Sequence, residues 1–142
     1  MTVAYDTMWE GTTQIAHAIA KEIRRQSPET VVKVFNVAKA DKNEVMTEVF
    51  KSKAIAVGSP TVSNSILSSV AGWIELLKQL KFKKKKAGAF GCYGWSGESV
   101  KILQEKLKDA GFEVVEENIG AFWKPTEEDF AKVKEFVKAL MC

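Results

Sequence analysis

The sequence predicts an α/β three-layer sandwich, with a five-stranded parallel sheet in the order 2-1-3-4-5 and helices on both faces. Three observations carry this reading. Short apolar runs alternate five times with longer segments whose apolar residues fall three and four apart. The third run, Ala54-Ile55-Ala56-Val57-Gly58, is apolar throughout, as expected of a central parallel strand covered on both faces. Right-handed crossovers wind such a βα series into a doubly wound sheet, and five strands within 142 residues suit this order better than a six-stranded dinucleotide-binding sheet. No Gly-x-Gly-x-x-Gly follows the first strand, which weakens a nicotinamide-binding reading.

Thr2–Tyr5 reads as strand one. Helix one runs from Gly11 to Gln26, with Ile15, Ala16, Ile19, Ala20 and Ile23 on one face, and stops before Ser27-Pro28. Val31–Val37 is strand two. Asp41 and Glu44 form a capping box for a short helix whose apolar face is Val45, Val49 and Phe50. After strand three, helix three covers Ile66 to Leu80, with Ile66, Val70, Trp73, Leu77 and Leu80 as its stripe. Lys81–Lys86 places five lysines around Phe82. That run reads either as a solvated connector at a helix C-terminus or as a docking patch for an acidic partner. Ala87–Cys92 is strand four, and helix four runs from Gly97 to Ala110 with Gly111 just past its end. Phe112–Ile119 is strand five and Gly120–Pro125 a turn. Thr126 and Asp129 then cap a last helix with Phe130, Val133, Phe136, Val137 and Leu140 on its apolar face.

Composition narrows the chemistry. A hydrophobic fraction of 46% and a charged fraction of 27% describe one globular domain over residues 1–142. No apolar run approaches the roughly 20 residues of a membrane span, and no signal peptide is visible, so no membrane role and a cytoplasmic location are expected. Cys92 and Cys142 lack metal-site spacing, and His17 is the single histidine. A His/Cys metal cluster is excluded on those counts, and Ser-His-Asp chemistry is disfavoured; no metal ligand and no catalytic residue is assigned. A net charge of +3 does not argue for nucleic acid.

In an open parallel sheet, ligands sit beyond the strands' C-terminal ends, near the switch point between strands one and three. Three loops converge there. The first contains Thr7, Met8, Trp9, Glu10, Gly11 and Thr12, followed by Thr13. It joins a helix N-terminus, with its unpaired N–H groups and positive dipole end, to several hydroxyls, and it has no Lys or Arg. It is read as a phosphate cradle built from neutral donors; an ordinary capped turn is the plain alternative. The second loop contains Pro60, Thr61, Val62 and Asn64, where Thr61 and Asn64 can bond a ribityl chain or a ring edge. The third contains Cys92, Tyr93, Gly94, Trp95 and Gly97. Tyr93 and Trp95 offer flat faces for stacking, and Gly94 and Gly97 let backbone N–H groups come close. Alternatively, Tyr93 and Trp95 cover the sheet edge, and Trp9 is either a ring contact or a hydrophobic lid. A flat, polar-edged, phosphorylated ligand fits all three loops, and flavin mononucleotide (FMN) is the simplest candidate.

These residues carry a resemblance. Tyr5-Asp6-Thr7-Met8-Trp9 with Thr12, Phe35-Asn36-Val37, Asp41-Lys42-Asn43-Glu44, Phe50-Lys51-Ser52-Lys53, Phe90-Gly91, Gly94-Trp95-Ser96-Gly97 and Ala110-Gly111-Phe112-Glu113 resemble the flavodoxin-like domain of the flavodiiron (A-type flavoprotein) family of oxygen and nitric oxide reductases. The likeness spans nearly the whole chain. It implies a flavodoxin-like fold, bound FMN, a rubredoxin or flavoprotein reductase as electron donor, and a diiron metallo-β-lactamase-like domain as acceptor. Trp9-Glu10-Gly11-Thr12 departs from the Thr-Gly-Asn-Thr usual in ordinary flavodoxins, which are also acidic, whereas this chain is slightly basic. His-x-Glu-x-Asp-His is absent, so the chain is expected to be the C-terminal domain of a longer flavodiiron protein or a free-standing relative. It is not expected to reduce oxygen or nitric oxide alone. Asp6, Glu10 and Glu98 are the acidic candidates near the ring, where negative charge lowers the flavin's potential. Two other readings share the fold. A receiver-type signalling module needs a phospho-accepting Asp after strand three, where Ser59-Pro60-Thr61 stands instead; an NADPH-dependent quinone reductase needs a second substrate pocket.

Trp95→Ala is therefore expected to weaken FMN binding modestly, because an aromatic contact adds roughly 0.5–1.5 kcal/mol beyond area burial. The gain in tryptophan fluorescence on stripping FMN should shrink in this variant. If affinity, potential and quenching all match the parent, Trp95 does not meet the ring.

Overall fold

Strand β1 (Thr2–Tyr5) is buried at all four positions, and β3 (Ala54–Gly58) at all five. A strand buried on both faces must be flanked by helices on both. The computed structural model, which describes residues 1–8, 10–62, 65–93, 98–122 and 124–141, has this layout. In chain order the other elements are α1 (Gly11–Gln26), β2 (Lys33–Asn36), α2 (Lys42–Lys51), α3 (Ser68–Leu80), β4 (Lys86–Tyr93), α4 (Glu98–Asp109), β5 (Glu113–Val114), β6 (Ile119–Phe122) and α5 (Glu127–Met141). The strands run parallel in the order β2-β1-β3-β4-β5, and β6 continues the pairing along β4. This is the predicted three-layer fold.

The two core layers follow the period-two alternation of strand side chains. Ile55, Val57, Ala87 and Ala89 face one layer with Val70, Trp73, Leu77, Leu103 and Leu107. Val3, Tyr5, Ala56 and Phe90 face the other with Ile15, Ile19, Ile23, Val133 and Phe136. The predicted helix stripes are therefore core stripes, except at their ends: Phe50, Leu80 and Phe130 are exposed.

The fifth strand position differs from its predicted form. Glu113–Val114 pairs with Lys86–Ala87, and Ile119–Phe122 pairs with Phe90–Tyr93. Between them β4 advances three residues while its neighbour advances five, so two extra residues bulge out. Glu116, Glu117 and Asn118 are exposed there. Such residues fit a pleated, half-buried surface poorly, which divides the strand. Gly120–Phe122 is correspondingly strand, not turn; Ile119 and Ala121 point into the core, with Gly120 and Phe122 between them facing away. Strand two is shorter than predicted, with Val31 outside it and 70% exposed.

Most of the predicted caps form. The Asp41 carboxylate accepts the Asn43 N–H at 2.8 Å. Thr126 and Asp129 form a reciprocal box: the Thr126 N–H donates to Asp129 Oδ2 at 2.9 Å, and the Asp129 N–H donates to Thr126 Oγ1 at 3.4 Å. Gly111 takes φ +98°, a left-handed conformation, and the Phe112 N–H then closes α4 by donating to the Leu107 carbonyl at 3.1 Å. In the lysine run, Phe82 is buried and meets Phe50 edge-on at 4.9 Å. Lys85 turns inward and donates to the Phe50 and Ser52 carbonyls at the end of α2, where a cation suits the helix dipole.

Removing a reciprocal cap costs about 0.5–2 kcal/mol. Asp129→Ala should lower the urea midpoint accordingly, while Glu127→Ala in the same turn should leave it nearly unchanged.

Candidate functional site

The β1–α1 loop leaves the sheet at Asp6 and enters α1 at Gly11, the first helical residue. Glu10 precedes it at φ 66°, exposed and left-handed, and α1 receives no side-chain cap from it. The first-turn N–H groups of α1 thus lack helical partners. Around them, the Thr7, Thr12 and Thr13 hydroxyls are buried without a hydrogen-bond partner. A buried donor left unpaired costs about 1–3 kcal/mol. No acidic side chain lies in α1's first turn.

Side chains fasten the other helix starts near this edge to the loops. Ser59 Oγ accepts the Leu67 N–H at 3.0 Å, just before α3. Thr61 Oγ1 accepts the Ser99 N–H at 3.1 Å, in the first turn of α4. Thr61 was expected to serve a ribityl chain; this bond takes one of its lone pairs and leaves its hydroxyl proton to donate. Asp6 was expected near a ring. Its Oδ1 accepts the Thr7 N–H at 2.8 Å and its Oδ2 accepts the Ser69 hydroxyl at 2.6 Å, tying the first loop to α3.

Backbone bonds bring the second and third loops together. The Ser59 N–H donates to the Phe90 carbonyl at 3.2 Å, and the Thr61 N–H donates to the Cys92 carbonyl at 2.9 Å. Gly91 permits this approach, since a β-carbon there would stand 2.1 Å from the Ser59 carbonyl oxygen. Val62 and Ser65 exchange backbone hydrogen bonds of 2.8 and 2.9 Å. Pro60 is buried, and Val62 is half-buried. Tyr93 is half-buried and meets Phe122 edge-on at 5.6 Å. That partner was hidden while Gly120–Pro125 read as a turn. Cys92 is buried, and burial pushes its thiol up to about 11, so it stays a neutral thiol at physiological pH. Met8 is 50% exposed. Trp9, Asn64, Gly94, Trp95 and Gly97 lie outside the described residues. Sequence reasoning missed Ser59 and Ser69 as loop fasteners, as well as Ser99, whose buried hydroxyl has no hydrogen-bond partner.

Fold and loops together define a flavodoxin-like domain, with buried hydroxyls and an uncapped helix start at the carboxyl edge of a 2-1-3-4-5 sheet. The Flavodoxin family model matches residues 3–136, and the chain belongs to this family, whose cofactor is FMN. It matches the flavodoxin-like part of flavodiiron proteins. It is 42% identical over 135 residues to the anaerobic nitric oxide reductase flavorubredoxin of Escherichia coli O1:K1, covering 95% of this chain and 28% of that protein. Rubredoxin oxygen:oxidoreductase from Desulfovibrio gigas superposes with a TM-score of 0.93 at 34% identity, over 98% of this chain and 34% of that one. An archaeal flavodoxin superposes with a TM-score of 0.80 at 27% identity, over 96% of this chain and 94% of its own. The chain thus spans about a third or less of the two reductases. No helix among the described residues is long and apolar enough to cross a membrane.

A hydrogen bond to a carboxylate is worth about 1.5–3 kcal/mol. Ser69→Ala should therefore destabilise the protein and loosen the cradle. A fall in both unfolding free energy and FMN affinity is expected; unchanged affinity would show that the Asp6–Ser69 bond does not shape the cradle.

Proposed function

We propose that this domain holds one FMN across its three carboxyl-edge loops and relays electrons. The donor is a rubredoxin or flavoprotein reductase. The acceptor is a diiron oxygen- or nitric oxide-reducing centre in another domain or subunit. The observation that carries the reading is the trio of buried, unpartnered hydroxyls, Thr7, Thr12 and Thr13, at an uncapped helix start. Phosphate oxygens accept from hydroxyls and N–H groups alike, so one phosphate satisfies all of these donors together. The isoalloxazine of bound FMN supplies the redox chemistry, and the protein supplies position and field.

The chain's own residues have distinct tasks in this reading. Gly11, Thr12 and Thr13 bind the phosphate through N–H and hydroxyl groups, with Thr7 closing the loop. Asp6 fixes that loop against α3 through Ser69. Thr61 retains a hydroxyl proton to donate toward the ligand while holding α4 in place. Tyr93 lines one side, its ring braced by Phe122. Met8, Trp9, Glu10, Pro60, Val62, Asn64, Cys92, Gly94, Trp95 and Gly97 complete the proposed binding loops. The flavodiiron relatives support a role as an electron-carrying module of a larger assembly, working in the cytoplasm.

The purified protein should show flavin absorption and release FMN on denaturation. Thr12→Ala should weaken FMN binding about tenfold to a hundredfold, the equivalent of a charge-assisted bond of roughly 1.5–3 kcal/mol. Riboflavin, lacking the phosphate, should bind variant and parent alike. A parent protein that neither carries nor takes up FMN would overturn the reading.

A further inference from the structure

We propose that the opposite edge of the sheet docks an acidic protein segment. A cleft of about 1120 Å³ opens at the strands' N-terminal ends, where Lys33, Ala54, Lys86 and Glu113 begin β2, β3, β4 and β5. Its cations are Lys33, Lys51, Lys53, Lys84 and Lys86, and its acids are Glu48 and Glu113. Among the described lining side chains, five lysines thus face two carboxylates. Lys33 and Lys51 share the single carboxylate of Glu48, at 3.3 and 3.7 Å. Lys53 and Lys84 meet no carboxylate among the described residues.

Lys84 carries a second signal. Its φ of +59° lies in the left-handed region, which costs a residue with a β-carbon and suits glycine. A lysine stands there nonetheless, so a cation is held over the cleft where another residue would be better accommodated. The cleft's other features select the occupant. Val31, 70% exposed, together with the half-buried Met141, gives it apolar surface for side chains. Glu48 and Glu113 repel a continuous phosphate backbone but accept N–H groups of a peptide. Among the described residues, no aromatic side chain lines the cleft to stack on bases. Charge complementarity thus favours a segment of alternating acidic and apolar residues.

This surface is separate from the flavin edge. The eight residues of β4 run from Lys86 in the cleft to Tyr93 in the third loop, about 20 Å at roughly 3.3 Å each. A partner seated in the cleft is held by the domain without covering the cofactor. The inference does not rest on the bound cofactor or on its redox role.

The test is fluorescence anisotropy with a labelled Glu-Leu repeat peptide of eight residues. Binding is expected at about 0.05 M salt and should largely disappear at about 0.5 M, as screening requires. K53E/K84E should weaken it at least about tenfold, whereas K101E/K108E on exposed α4, with the same change in net charge, should weaken it much less. Lys84→Gly, which relieves the left-handed strain, should raise the melting temperature while lowering peptide affinity. Visible absorption of the FMN-loaded protein should match the parent in every variant, which checks the fold. Absence of binding at low salt, equal losses in the two charge-reversal pairs, or tighter binding of an oligothymidylate than of the peptide would each overturn the proposal.

Discussion

The constraint on which the rest of this structure depends is burial of the central strands on both faces. Val3 and Ala4 in β1, and Ile55 to Val57 in β3, have no exposed surface. No side of such a sheet is left for water, so helices must cover both. Right-handed crossovers then place every strand-to-helix turn at the same edge. That geometry, before any individual side chain is considered, gathers three loops from distant parts of the chain into one place.

Within that place the helix starts are treated unequally. The start of α3 also has no side-chain cap, but it is fastened to the loops: Ser59 accepts the Leu67 N–H just before it, and Ser69 donates to Asp6. The start of α4 is satisfied by Thr61, a residue from the loop after β3. Each fastener reaches across to a different element, so the loops hold one another in position. The start of α1 is left open, with buried hydroxyls around it and no side-chain cap. Unpaired donors in a protein interior are costly, and their concentration here marks where the domain meets something it does not itself contain.

The two ends of the sheet differ in electrostatic character. The carboxyl edge gathers neutral donors, and of its acidic residues Asp6 is engaged by Thr7 and Ser69. The amino edge collects five lysines around one cleft. Even within the Lys81–Lys86 run the roles divide. Lys85 caps α2 and lies 5.5 Å from the Phe82 ring centroid, and burial holds its amine below the usual lysine value. Lys84 stays at the cleft. A charge run that reads as uniform in one dimension is sorted by packing into structural and solvent-facing members.

Much of this was determined locally. The apolar run Ala54–Gly58, the helix periodicities, the Thr126–Asp129 cap and the Gly111 terminator each depend on residues within a few positions of one another, and sequence patterns report such short-range physics directly. The Thr7–Thr13 cradle was legible for the same reason: a strand end, a hydroxyl cluster and a helix start lie side by side in the chain. Tertiary structure alone decided the rest. The break between β5 and β6 depends on pairing with β4, the Tyr93–Phe122 contact on that pairing, and the bonds of Asp6 to Ser69 and of Thr61 to Ser99 on residues 63 and 38 positions apart. The lysine cleft likewise draws on the starts of β2 to β5, the end of α2 and the end of α5, places joined only by the folded sheet. Contacts between distant residues leave no periodicity in one chain, because which residues meet is set by how the sheet closes and not by their spacing.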